Sequence, residues 1–156
     1  MVIRPQTERG HEALFVRHFS IALPNRVGQL NELLAALETA EVEVAGLSIV
    51  DSADWAVIRV VFTDAGKARE ALVKHQAVFT EGEVLAVVMP EPKALQAICK
   101  ALVTAELNVH FAYPLMISHE SHPVLVVNVD DPVLAMQVLT KHGFRLLDHE
   151  DVAGGQ

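Results

Sequence analysis

The sequence predicts an α+β protein built from two tandem βαββαβ units, with antiparallel sheets that carry their helices on one face. Three observations predict it. One amphipathic leucine spacing occurs twice, an apolar stretch ending in proline precedes each copy of it, and an extended pair rich in β-branched residues follows each copy. Repetition of a whole run of elements, and not of one helix, separates a duplicated unit from a single domain. A single α/β domain with six or seven strands and four helices is the alternative architecture.

The elements follow in order. Phe19 to Leu23 reads as a strand stopped by Pro24, because proline cannot donate to a sheet ladder. Leu30, Leu33, Leu34 and Leu37 then fall at i, i+3, i+4 and i+7, one face of an amphipathic helix. Val42 to Val50 and Ala56 to Phe62 are extended runs separated by the polar turn formers Asp51, Ser52 and Asp54. A second helix carries Ala68, Ala71 and Leu72 behind Asp64, a suitable N-cap. A short strand near Ala77 to Thr80 closes the unit.

The second copy repeats each step. Val84 to Met89 stops at Pro90, and Leu95, Ile98, Cys99 and Leu102 repeat the helical spacing. Ala105-Glu106-Leu107 echoes Ala40-Glu41-Val42. Leu107 to Ile117, a turn over Ser118 to His122 and Val124 to Val129 supply the extended pair. Asp131 caps a helix with Ala135, Val138 and Leu139, Lys141-His142 echoes Lys74-His75, and Phe144 to Leu147 closes the copy. Strand, helix, strand, strand, helix, strand is the split βαβ, ferredoxin-like arrangement. The division expected is an extended or disordered N-terminus over 1–13, a first unit over 14–81, a second over 82–149 and a flexible tail over 150–156. Thr80 to Glu83 is expected as a turn linking the copies.

Composition bounds the function. The chain has 156 residues, 51% of them apolar and 21% charged, with a formal net charge of −8. Such an acidic chain lacks the basic field that nucleic acid or an anionic membrane surface demands, so neither is expected as a partner. The single cysteine, Cys99, excludes an intrachain disulfide and fits a reducing compartment. No signal-peptide pattern and no apolar run of spanning length are visible, so a cytoplasmic protein is expected. Ala56 to Phe62 and Val124 to Val129 are apolar on both alternating faces apart from Arg59 and Asn128, which points to a covered second sheet face and hence to a homodimer.

Chemistry concentrates in the loop Leu23-Pro24-Asn25-Arg26-Val27-Gly28-Gln29-Leu30. Gly28 lets the backbone approach a ligand at the positive end of a helix dipole, a cradle for a carboxylate. Asn25 offers a donor and an acceptor that can bracket the carboxylate and ammonium of an amino acid. The plainer alternative is that Asn25 caps the helix and Gly28 makes a turn.

Asn25-Arg26-Val27-Gly28-Gln29-Leu30, set between a strand and an amphipathic helix in a duplicated βαββαβ unit, resembles the ACT domain motif, departing from it only in Val27 where proline is usual. The resemblance covers about residues 15 to 148 and is closest to tandem ACT proteins. It implies a non-catalytic, amino-acid-binding regulatory protein with no cofactor. By resemblance Asn25, Arg26, Val27, Gly28 and Leu30 bind the ligand, with second-strand contributors drawn from Leu47, Ser48 and Ile49 or from Phe111 to Leu115, Phe111 and Tyr113 among them. A regulatory subunit of a biosynthetic enzyme, such as acetolactate synthase, is the alternative. The second loop, Met89-Pro90-Glu91-Pro92-Lys93-Ala94-Leu95, is shorter, has Ala94 in place of the glycine and carries Glu91, so a weakened or lost site is expected there.

Other readings carry less. His119-Glu120-Ser121-His122 invites a metal, but a closed zinc site needs ligands this turn does not supply, and none is expected. Cys99, on the apolar stripe, reads as a buried structural thiol and not a nucleophile. Asp130-Asp131 ahead of Pro132 reads as a helix start and not a catalytic pair. No phosphate loop, dinucleotide fingerprint or hydrolase elbow is present, and no catalytic residue is assigned.

Overall fold

The computed structural model of the chain describes residues 14–154; the expected N-terminal segment 1–13 lies outside the described residues. The described chain runs β1 (Val16–Pro24), α1 (Gln29–Thr39), β2 (Val44–Asp51), β3 (Trp55–Phe62), α2 (Ala65–Lys74), β4 (Val78–Val88), α3 (Ala94–Thr104), β5 (Val109–His119), β6 (His122–Val129), α4 (Pro132–Lys141), β7 (Leu146–Leu147) and α5 (His149–Ala153). It divides into two compact units, one over Arg17–Gly82 and one from Glu83 onward that takes in residues 14–16.

In the first unit the strand order is β2-β3-β1-β4, and in the second β7-β4-β6-β5. Both are the order of a split βαβ fold. The first core joins Phe19, Ile21, Ile58, Val60 and Phe62 of the sheet to Leu33, Leu37, Ala68 and Leu72 of α1 and α2. Phe19 meets Phe62 edge to face, ring centroids 5.3 Å apart. The second core joins Leu85, Val87, Val127 and Val129 to Ile98, Leu102, Ala135 and Leu139 of α3 and α4. Helices therefore cover one face of each sheet.

The duplication is written in the backbone as well. Glu41 and Glu106 both hold φ 58°, each just after the first helix of its unit. Val42 N–H donates to the Leu37 carbonyl and Leu107 N–H to that of Leu102, both at 2.9 Å, the six-to-one bond of a left-handed helix ending. Gln76 and Gly143 repeat the device after α2 and α4. Asp64 accepts from Lys67 N–H and Asp131 from Leu134 N–H, both at 3.0 Å, as N-caps should.

Four expectations need correction. Thr80 to Glu83 is not a turn: β4 runs unbroken through it, and Gly82 is there for room, since a Cβ would stand 3.0 Å from Nε2 of His18. The adjacent Glu81 is held by a two-point bond from Arg69 of α2 at 2.7 and 2.6 Å, which keeps its carboxyl below the usual range. Residues 150–153, expected in a tail, belong to a helix, α5, which forms behind a capping box between Asp148 and Asp151. On α3 the buried face is Ala94, Ile98, Ala101 and Leu102, while Leu95 and Cys99 are exposed. The alanines form the contact layer, and alanine marks a buried face only weakly in a sequence. Part of the apolar second sheet face is buried without a second copy, since Val61, Val84, Ala86, Val124 and Val126 are at most 1% exposed, while Val57 is half-buried.

Two predictions test this packing. In urea unfolding, Leu102→Ala is expected to cost about 2–5 kcal/mol, and Leu95→Ala to stay within about 0.5 kcal/mol; equal costs would mean α3 is rotated. Burial of His18, with the nearby Arg59 charge adding to it, lowers its imidazole from 6.5 to about 4. The folded state then refuses a proton that the unfolded chain accepts, so stability falls as pH drops from 6.5 towards 4, by on the order of 3 kcal/mol in full. His18→Gln is expected to remove that slope from the pH profile of the urea midpoint.

Candidate functional site

The register of three strands lays out the floor of a cavity in the first unit. Leu23 pairs with Ala56 and Ala56 with Asp51, while Ile21 pairs with Ile58 and Ile58 with Ile49. These two cross-strand rows lie on the face that α1 and α2 cover, because Ile21, Leu23 and Ile58 belong to the helix-packed core. Ala56 is the smallest side chain in these rows, and a depression forms there. The loop from β1 into α1 borders it, giving a half-open cavity of about 190 Å³ lined by Leu23, Pro24, Asn25, Arg26, Gln29, Leu30, Ile49, Asp51, Ala56 and Ile58.

Asn25 holds the loop on the sheet. Its side-chain amide donates to Asp51 Oδ1 at 2.8 Å and to the Ser52 carbonyl at 3.2 Å, and its backbone N–H donates to the Asp54 carbonyl at 2.9 Å. Asn25 is therefore not the cap of α1. That position belongs to Gly28, at φ 90° and ψ −11°, with no side-chain bond to the helix start. The first turn of α1 keeps backbone N–H groups that no earlier carbonyl of the helix can satisfy. The positive end of the helix dipole, Arg26 and the carboxylate of Asp51 thus meet around an apolar floor.

Of the residues singled out in the sequence, the cavity brings together Asn25, Arg26, Leu30 and Ile49. Val27 is fully exposed and outside the lining, and Gly28 shapes the helix start without lining the cavity. Leu47 packs on the first core, and Ser48, paired with Arg59, points to the other face of β2. Phe111 and Tyr113 lie on β5 of the second unit, their rings stacked with centroids 6.1 Å apart. Sequence reasoning missed Asp51, Ala56, Ile58 and Gln29. Asp51 read as a turn former, and only the register opposite Ala56 turns it into a lining residue.

The second unit has a different loop. Its helix is capped by Lys93 at φ −66°, ordinary right-handed backbone, and Ala94 is buried. Met89 N–H donates to the Pro123 carbonyl and Pro123 pairs with Ser118, so the row equivalent to Leu23–Ala56–Asp51 is Met89–Pro123–Ser118 and carries no carboxylate. Elsewhere, Asp130 bonds His110 at 2.9 Å and Asn108 N–H at 3.2 Å, a strand-end contact and not half of a paired acid. Among the described residues no group of three or more His, Cys, Asp or Glu could hold a metal ion. No described helix is long and apolar enough to cross a membrane.

Two split βαβ units in tandem define a duplicated, ferredoxin-like α+β protein. The family model of the ACT domain pair matches residues 14–154, and the chain belongs to that family. Among solved structures, a Bacteroides thetaiotaomicron protein superposes with a TM-score of 0.82 at 22% identity, over 90% of this chain and 97% of that one. The ligand-free regulatory subunit of aspartate kinase from Thermus thermophilus gives 0.58 at 12% identity, over 83% and 93%. The corresponding subunit from Thermus flavus gives 0.53 at 15% identity, over 83% and 93%. At such identities the likeness is one of fold. Among curated proteins none is a significant match.

Gly28 provides the direct test of the loop. No atom lies within 4 Å of a Cβ built there, so Gly28→Ala introduces no clash and only backbone strain. It is expected to cost about 1–2 kcal/mol, read as a lowered urea midpoint. Lys93→Gly, at the equivalent cap of the second unit, is expected to show no comparable backbone relief, since φ there is already right-handed.

Proposed function

We propose that the chain is a non-catalytic regulatory protein that binds a free amino acid in the cavity of the first unit. The observation that carries this reading is the juxtaposition of Arg26 and the uncapped start of α1 with the carboxylate of Asp51, all bordering one apolar cavity. A zwitterion needs both: N–H groups and a guanidinium for its carboxylate, and a carboxylate for its ammonium. Asn25 presents Asp51 in a fixed rotamer, because its amide occupies one carboxylate oxygen and leaves the other to accept. The second unit acts as scaffold in this reading, its loop lacking the left-handed glycine and its facing row the carboxylate. Membership of the ACT pair family supports it.

A second reading has the chain bind an amino acid while attached to a biosynthetic enzyme. Its support is the fold shared with the aspartate kinase regulatory subunits. Recovery of a catalytic subunit with the tagged chain, and a change in that enzyme's activity on adding the amino acid, would favour it. Residence in the cytoplasm and homodimerisation belong to both readings, and sedimentation of the purified chain tests the latter.

Thermal unfolding in the presence of each of the twenty amino acids tests the binding. At one hundred times its dissociation constant a true ligand adds about 2.7 kcal/mol, a clear rise in melting temperature. Gly28→Asp is expected to abolish the rise by setting a carboxylate against that of the ligand. Absence of any rise at millimolar concentrations would overturn the proposal.

A further inference from the structure

We infer that the ligand of this cavity is an amino acid with an uncharged aliphatic side chain of three or four carbons, of the valine, leucine and isoleucine kind. The inference rests on the amino-acid reading above and names the class that the same site selects. Of the polar lining, Asn25, Arg26 and Asp51 are the groups that reading assigns to the ligand's backbone ends, and Gln29 is the first residue of α1 beside them. What is left for the side chain is Leu23, Leu30, Ile49, Ala56 and Ile58, without a charge or a hydrogen-bonding side chain among them.

Size and rigidity narrow the class from both ends. Leu23 and Ile58 are buried in the core and cannot swing aside for a larger guest. The depression of about 190 Å³ is open on one side, so a branched aliphatic group can lie wholly against Leu23, Ala56 and Ile58, whereas an indole would leave part of its rings in water and gain less from burial. Glycine and alanine would leave the floor of Ala56 and Ile58 unfilled. Aspartate or lysine would bring a second charge down onto Leu23 and Ile58, where nothing offsets the loss of water. Each methylene that fits such a surface contributes about ten-fold or more in discrimination.

Ala56 is the position that decides selectivity. It supplies the depression, and Leu23 and Asp51 flank it in the register. A larger side chain at 56 fills the volume the guest requires.

The test is calorimetric titration of the full chain with valine, leucine, isoleucine, alanine, aspartate, lysine, phenylalanine and tryptophan. One of the three branched aliphatic amino acids is expected to bind at least about ten-fold more tightly than alanine, and to exceed the charged and aromatic ones by more. Ala56→Leu is expected to weaken that binding ten-fold or more. Ile49→Asp, at a half-exposed position that folding tolerates, provides the second variant should Ala56→Leu not fold; it is expected to lower the preference for leucine over lysine. Tightest binding of aspartate, lysine, phenylalanine or tryptophan, or leucine binding that neither variant alters, would overturn this inference and leave the amino-acid reading standing. Binding of none of the panel, nor of any other amino acid, would remove that reading and this inference with it.

Discussion

The antiparallel register of β1 on β3 and of β3 on β2 is the constraint on which the site depends. It puts Leu23, Ala56 and Asp51 in one row and Ile21, Ile58 and Ile49 in the next. A slip of one residue would send each of these side chains to the opposite face of the sheet. The register is protected at the hairpin tip, where Ser52 bonds the Trp55 carbonyl through both its N–H and its hydroxyl at 2.9 and 2.8 Å. Asn25 then fastens the α1 loop to that tip with three bonds. A single polar residue thereby couples the position of the helix start to the position of the carboxylate. The cavity is the space these two fixed parts leave over the small side chain of Ala56.

Duplication lets the two units keep one set of stabilising elements and still differ in the loop between their first strand and first helix. The two units share their helix caps, their left-handed helix endings and the composition of their cores. They differ where the loop meets the sheet. The first has glycine at φ 90° and a carboxylate in the facing row; the second has Lys93 at φ −66° and Ser118. The second hairpin is also displaced, with a register shift between Pro114 and Ser118 that gives β5 extra residues against β6. Elements that stabilise are thus kept alike while the loop and its facing row diverge.

Much of this was legible in the residues. Proline at each strand end, aspartate before α2 and α4, and leucine spacing in α1 have local causes, so they could be read without knowing any distant contact. The repeat was legible because Ala40-Glu41-Val42 and its echo encode one local ending. The rotation of α3 was not, because Ala94 and Ala101 compete with Leu95 and Cys99 for the same stripe and only the packed partner decides between them. Gly82 looked like a turn residue for the same reason: its use is to admit the ring of His18, a contact made across the sequence.

The sequence by itself determined the duplicated α+β unit, the caps, and the loop that carries Asn25, Arg26 and Gly28, since each follows from backbone preferences over a few neighbouring residues. Tertiary structure alone decided that Asp51, Ala56 and Ile58 join that loop. It also decided which residues of the apolar second face are buried, Val61 and Val126 among them. Those outcomes depend on strand register and on which surfaces find cover, and both are set by the free energy of the whole packed chain and not by any short segment of it.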